Sequence, residues 1–194
     1  WLSFTLNFLS RFFTGVFNTV TCVKAWLKQS FKDVLLKLKI GLTSGFWIAV
    51  AIKITFLGTG TSQGVPLIGC HCEVCRSSNY KDKRLRSSVL IESEQTRVVI
   101  DTGPDFRQQM LREKTGKLDA VVFTHEHKDH IAGLDEVRAF NYIQKKSMPV
   151  YATERVQKAL KREFAYVFSD EKYPGIPEID LYDFDNDPFY IGDI

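Results

Sequence analysis

Three of the chain's four histidines fall within six residues, in Thr124-His125-Glu126-His127-Lys128-Asp129-His130. They follow directly on the apolar run Asp119-Ala-Val-Val-Phe123. If that run is a strand, residues i and i+2 project to one side, so His125 and His127 can converge on one metal ion. Asp129 and His130 then lie where a helical pattern starts at Ile131, within reach of a second ion or a shared water. Imidazole nitrogen with carboxylate oxygen is the donor set of zinc, and it also suits iron and manganese. The bland reading is a solvated loop that happens to be histidine-rich. The spacing, the apolar strand before it and Gly133 after it all speak against that reading.

A second cluster carries metal chemistry of another kind. Three of the four cysteines occupy Cys70-His71-Cys72-Glu73-Val74-Cys75. Such crowding suits a metal clip better than a disulfide framework, and reduced thiols point to the cytoplasm. Three thiolates fill three corners of a tetrahedron with Zn–S bonds near 2.3 Å, approximately. His71, flanked by two of the sulfurs, is expected to point the other way. Three unliganded buried cysteines are the alternative, and the polar neighbours argue against it. Cys22 reads as an ordinary small apolar residue.

The elements that must position these groups follow from periodicity. Ile52–Leu57 alternates and is rich in branched and aromatic residues, which predicts a strand. After it, Gly58-Thr-Gly60-Thr-Ser-Gln-Gly64-Val-Pro66 tempts a dinucleotide reading. The third glycine is one residue late for that motif and Pro66 stands where a helix should open, so a tight loop of backbone turns is expected instead. A polar, basic connector from Arg76 to Arg86 leads to a hairpin of Ser87–Glu92 and Thr96–Asp101. Asp105–Lys114 reads as a helix with Phe106, Met110 and Leu111 on one face, stopped by Gly116. Asp119–Phe123 is the strand that delivers the histidines. Ile131–Lys145 reads as helix, Pro149–Ala152 as strand, and Thr153–Phe168 as a helix capped by Thr153. Short strands are expected at Ile179–Phe184 and Phe189–Ile191. A meander that gives way to alternating strands and helices predicts a mixed α/β class with helices packed on a sheet.

Composition sets the outer limits. With 194 residues, 44% hydrophobic and 25% charged, the chain has the make-up of one globular domain with an appendage. The net charge of +3 is uneven: Arg11, Lys24, Lys28, Lys32, Lys37 and Lys39 face only Asp33 in residues 1–52, leaving the rest slightly acidic. The body therefore gives no strong nucleic-acid signal. Residues 1–51 form an extension distinct from the domain expected over 52–194. Their uncharged runs, Phe12–Val23 and Ile40–Ile52, fall short of a membrane span of about 20 residues. Trp26, Leu27, Phe31, Val34, Leu35 and Leu38 could line a basic amphipathic helix suited to a membrane surface. A targeting-like leader and sequence not native to the fold are the competing readings, of which the last is favoured.

Beyond these readings, Thr-His-x-His-x-Asp-His, with Ile100-Asp101-Thr-Gly103 before it and Gly133-Leu134 after it, resembles the metallo-β-lactamase-fold hydrolases over about residues 52–194. The Gly58-Thr-Gly60 opening, Gln63-Gly64-Val-Pro66 and Gly69-Cys70-x-Cys72-x-x-Cys75 are similar to the subfamily of phosphodiesterases that open phosphoribosyl 1,2-cyclic phosphate (PhnP-like). The resemblance implies the N-terminal half of an αββα sandwich. It implies two catalytic zinc ions, with manganese or iron as substitutes, and one structural zinc. By position, His125 and His127 would bind the first catalytic ion and Asp129 and His130 the second. Asp101 would lie beneath them, orienting ligands through hydrogen bonds. Asp129, His130 and Asp101 are thus the expected catalytic set, although Asp101 also makes sense as a turn-former before Gly103 and Pro104. Cys70, Cys72 and Cys75 would hold the structural zinc.

The same resemblance implies a hydroxide generated between two zinc ions, attacking a small cyclic or sugar phosphodiester. Lys128 is expected to point into solvent. The family pattern includes two further histidines and an aspartate after the helices, and a remote histidine for the cysteine site. This chain contains only His71, His125, His127 and His130. The expectation is that those groups lie past Ile194 and that these 194 residues alone are weakly active at best. A non-catalytic zinc-binding or carrier protein, and an RNA-processing nuclease of the same fold, are the alternatives. Self-association into a homodimer is left open.

Overall fold

The computed structural model describes the backbone of residues 33–41 and 47–51, and residues 52–185 and 187–194 in full. Seven strands form one sheet in strict sequence order: β1 (Asp33–Gly41), β2 (Trp47–Gly58), β3 (Ser88–Glu92), β4 (Arg97–Ile100), β5 (Ala120–Val122), β6 (Met148–Tyr151) and β7 (Ile179–Tyr182). β1 to β4 pair antiparallel, and β4 to β7 pair parallel. The switch at β4 follows from the connections. A short turn of residues 93–96 joins β3 to β4 and a long strap of residues 59–87 joins β2 to β3, whereas each parallel neighbour is reached through a crossover.

Among the described residues, five short helices lie along those connections: α1 (Glu73–Arg76), α2 (Phe106–Arg112), α3 (Lys128–Ile131), α4 (Arg138–Gln144) and α5 (Glu154–Glu163). On the side they cover, Leu57, Leu90, Val99, Val121, Phe123 and Val150 pack with Phe106, Met110, Ile131, Phe140, Val156 and Leu160. The alternate strand positions Val89, Val98, Ile100, Ala120 and Val122 form a second apolar cluster on the other face, flanked by Phe184, Ile191 and Ile194. The central strands are apolar on both faces, as strands covered from both sides must be. This is the mixed α/β architecture expected. Among the described residues, no helix is long and apolar enough to cross a membrane.

Several local expectations change. Val34, Leu35 and Leu38, expected on a helix face, lie in β1. The run Leu36-Lys37-Leu38-Lys39-Ile40 in fact alternates with period two, and β1 pairs residue by residue with β2 from Asp33↔Thr55 to Gly41↔Trp47. Trp26, Leu27 and Phe31 lie outside the described residues. On α2, Gln109 is buried beside Phe106 and Met110 while Leu111 is 61% exposed. The Gln109 amide nitrogen donates to the Arg86 carbonyl (2.9 Å), which holds that polar side chain inside. Lys114, with φ 52°, ends this helix rather than Gly116. Its N–H bonds to Leu111 O and that of Thr115 to Met110 O, the paired bonds that close a helix at a left-handed residue.

The helix expected over Ile131–Lys145 is broken. Gly133 donates its N–H to Thr102 O (2.7 Å), and a single-turn 3-10 segment, Leu134–Val137, precedes α4. Thr153 stands at the start of α5 but its hydroxyl makes no cap. The helix stops at Glu163, before the 3-10 turn Ala165–Val167. The strand expected at Phe189–Ile191 is a turn instead, in which Ile191 and Ile194 exchange backbone hydrogen bonds. Pro188 before it and Gly192 (φ 59°) within it account for that outcome.

Candidate metal centre

β5 and β4 end side by side, and the chain after each supplies the site. Beyond β4, Asp101 takes φ 62° and donates its N–H to Val122 O (2.9 Å). This left-handed turn, tolerated by aspartate, sends the chain back beneath the segment leaving β5. Asp101 is 4% exposed, and both carboxylate oxygens are used. Oδ1 accepts the Thr124 N–H at 2.9 Å. Oδ2 accepts the Thr124 hydroxyl at 2.7 Å and His130 Nδ1–H at 2.7 Å.

This arrangement assigns the tautomers of two histidines. The Thr124 hydroxyl spends its proton on Asp101, so it accepts from His125 Nδ1–H at 2.9 Å. His130 donates Nδ1–H to the same carboxylate. Both rings therefore turn an Nε2 lone pair outward, the state a metal ligand needs. The ring centroids of His125 lie 4.7 Å from those of His127 and 3.9 Å from those of His130. His125, His127, Asp129 and His130 are brought together, with Asp101 behind them.

One pair of these donors fits a cation, although no three of them lie within 4.8 Å of one another as the cysteines do. His130 Nε2 stands 3.2 Å from Asp129 Oδ2. With Nδ1–H committed to Asp101, neutral His130 would point a lone pair at a carboxylate oxygen, two acceptors with no proton between them. A positive charge resolves the clash: a proton on Nε2, or a metal ion that both atoms would hold. The electrostatics agree. Burial would push the His130 pKa down, but the hydrogen bond and charge of Asp101, joined by Asp129, outweigh it and raise the value. For His125, burial dominates with the help of His130, and the pKa falls, favouring a neutral ring.

Backbone packing fixes the loops that carry these groups. A Cβ at Gly103 would sit 2.2 Å from Asp129 O, and one at Gly133 would sit 2.2 Å from Gly103 O. Only glycine allows the turn after Asp101 to lie directly against the ligand loop. Further out, Gly58 abuts the Arg86 carbonyl in the same way, at 1.8 Å from a hypothetical Cβ. Arg86 Nε donates to Ser62 O (2.9 Å), and its guanidinium pairs with Asp105 at 3.0 Å, tying the glycine loop to the start of α2.

The cysteines form a separate cluster. The Sγ atoms of Cys70, Cys72 and Cys75 all lie within 4.8 Å of one another, the one such closed group of three or more His, Cys, Asp or Glu donors among the described residues. Tetrahedral zinc would draw the sulfurs to roughly 3.8 Å apart. A backbone hydrogen bond at Leu67 pulls the Cys75 thiol down, but burial and the crowding of Cys70 and Cys72 prevail and raise it to about 11. The Cys75 thiol therefore resists ionisation without a cation. His71 is exposed and outside the group.

Four residues near the histidines had no expected role. Thr124 is the relay between Asp101 and His125. Glu126 receives Arg155 Nε at 2.8 Å, and Glu163 pairs with Lys128, which is exposed to solvent as expected. A threonine beside a metal motif and charges on a distant helix carry no periodic signal. Only the folded chain juxtaposes them.

The model of the Beta-lactamase superfamily domain matches residues 96–194. A crystal structure of a new diphosphatase from the PhnP family is 42% identical, with a TM-score of 0.66 over 73% of this chain and 53% of that one. The octanoyltransferase of Porphyromonas gingivalis (strain ATCC BAA-308 / W83) is 43% identical over 145 residues, 74% of this chain but 29% of that protein. Zn2+-bound PqqB from Methylobacterium extorquens shares the fold at 20% identity, with a TM-score of 0.53 over 67% of this chain and 46% of that one. The chain spans about half the length of these solved structures and less than a third of the curated relative. It belongs to the β-lactamase superfamily and has the metallo-β-lactamase fold.

Proposed function

We propose that this member of the superfamily is a metal-dependent hydrolase acting on a phosphorus ester, most specifically a small cyclic or sugar phosphodiester. The observation that carries the proposal is the His130 Nε2–Asp129 Oδ2 pair at 3.2 Å, which needs a positive charge and would take it from a metal ion held by both atoms or from a proton on Nε2. Attack at phosphorus rather than at a carbonyl is supported by the 42% identity to a diphosphatase of the PhnP family. Zinc is the favoured ion, two at the histidine loop and one at the cysteines, and manganese or iron would also suit the oxygen and nitrogen donors. When bound, the ions supply Lewis acidity and bring the pKa of water towards about 7.

The chain's own residues divide the remaining work. His125 and His127 hold one ion from the loop leaving β5, and Asp129 and His130 hold the second. Asp101 touches no substrate. It keeps protons on His130 Nδ1 and, through Thr124, on His125 Nδ1, so that both Nε2 atoms stay available. Cys70, Cys72 and Cys75 hold an ion with a structural role, pinning the strap between β2 and β3.

The test uses the intact protein, depleted of metal and then titrated with zinc or manganese, with bis-p-nitrophenyl phosphate as substrate. Turnover should depend on metal and fall by at least about 100-fold in His127→Ala, since losing even an outer partner of a metal ligand costs about 10–100-fold. Metal bound at full stoichiometry without turnover of any phosphodiester would favour a binding protein over an enzyme.

A further inference from the structure

We propose that Glu126 and Lys128, the charged residues interleaved with the candidate ligands, form a two-point clamp onto α5, with Arg155 and Glu163 as its positioning residues. This rests on the reading of His125–His130 as a metal loop. Along that loop the residues divide by role. His125, His127, Asp129 and His130 gather at the centre, while Glu126 and Lys128 reach outward to one helix. Glu126 is held by the Arg155 guanidinium, whose Nε lies 2.8 Å from Oε1. Lys128 pairs with Glu163 Oε2, and Arg162 steadies the other oxygen of that carboxylate at 3.1 Å.

The two anchors stand eight residues apart on α5, about 12 Å along its axis. They are of opposite sign: acid on the loop at one, base on the loop at the other. Only one register of loop on helix satisfies both. Shifting the loop by one residue would set His125 and His127, or His127 and Asp129, against Arg155 and Glu163.

Apolar packing does not do this job. α5 turns Val156, Ala159 and Leu160 into the core, and between its outer face and the loop lies a hollow of about 370 Å³ bordered by Glu126, Lys158 and Arg162. Backbone tethers are few at the loop's start. Thr124 N–H reaches Asp101, and the His127 carbonyl accepts from His130 and Ile131. Between those tethers lie only His125 and Glu126, so the Glu126–Arg155 pair anchors the stretch that carries His125, and the Lys128–Glu163 pair anchors the first residue of α3.

The experiment compares the intact protein with Arg155→Gln, Glu163→Gln, the double variant, and the charge exchange Glu126→Arg with Arg155→Glu. Amide hydrogen exchange over 124–129 in the metal-free state is the first readout, and zinc affinity by competition with a chromophoric chelator is the second. Each single variant should speed exchange of the loop and weaken zinc about five-fold, the scale of one exposed ion pair. The double variant should exceed either, and the charge exchange should recover most of the loss. Unchanged loop exchange in the double variant, or a charge exchange no better than Arg155→Gln, overturns the clamp. If the parent binds no metal at this loop, the metal reading falls, while exchange that still responds to Arg155→Gln and Glu163→Gln upholds the clamp as the loop's anchor.

Discussion

Asp101 does at one point what two separate groups would otherwise do. Its carboxylate orients His130 directly, 29 residues away, and His125 through the hydroxyl of Thr124, 23 residues away. Thr124→Val keeps the shape and removes the relay. Zinc affinity should fall about 10–100-fold, the range for an outer hydrogen-bond partner, with Thr124→Ser restoring most of it. A competition titration measures both. The raised pKa of His130 also sets a pH dependence. A metal ion must displace the proton, so apparent affinity should already be falling as pH drops through values where an ordinary histidine is still neutral. The histidines were legible in the sequence because their spacing is local. The link from Asp101 through Thr124 was not, since it exists only once β4 and β5 lie side by side.

At the scale of elements, the ligand loop is held by backbone contact on one side and by charge on the other. Gly133→Ala tests the backbone contact. The added methyl would meet the Gly103 carbonyl at 2.2 Å and Phe106 Cβ at 2.9 Å. A loss of about 1–3 kcal/mol is expected from such crowding, read as a lower denaturation midpoint in urea. The strands were legible where they were apolar and alternating, as for Ser87–Glu92 and Thr96–Asp101. Helix lengths were less so. Gly133 interrupts one helix because another backbone lies against it, a fact of tertiary structure. Gln109 takes the inward position expected of Leu111 because the Arg86 carbonyl needs a donor there. Hydrophobic periodicity cannot register either cause.

For the molecule as a whole, stability and site share one residue. Phe123 is fully buried and directly precedes Thr124. Phe123→Ala should cost about 3–5 kcal/mol by chemical denaturation through the cavity it leaves. The same change should weaken zinc binding, because it loosens the strand end that carries the loop. The α/β class and the metal loop were readable from the chain. The pairing of β1 with β2 was hidden by leucines that suit a helix as well as a strand.

The strict sequence order of the seven strands has a consequence for biosynthesis. Each new strand adds to the edge left by its predecessor, and none has to be inserted between two that have already paired. Emerging from the ribosome at roughly 5–20 residues per second, the chain can lay down its sheet in the order of translation. By the time residue 130 is free, β4, β5 and the whole Asp101–Thr124–histidine network have been made. A nascent chain can therefore possess its candidate ligand loop before β6, α5 or the clamp residues Arg155 and Glu163 have left the tunnel.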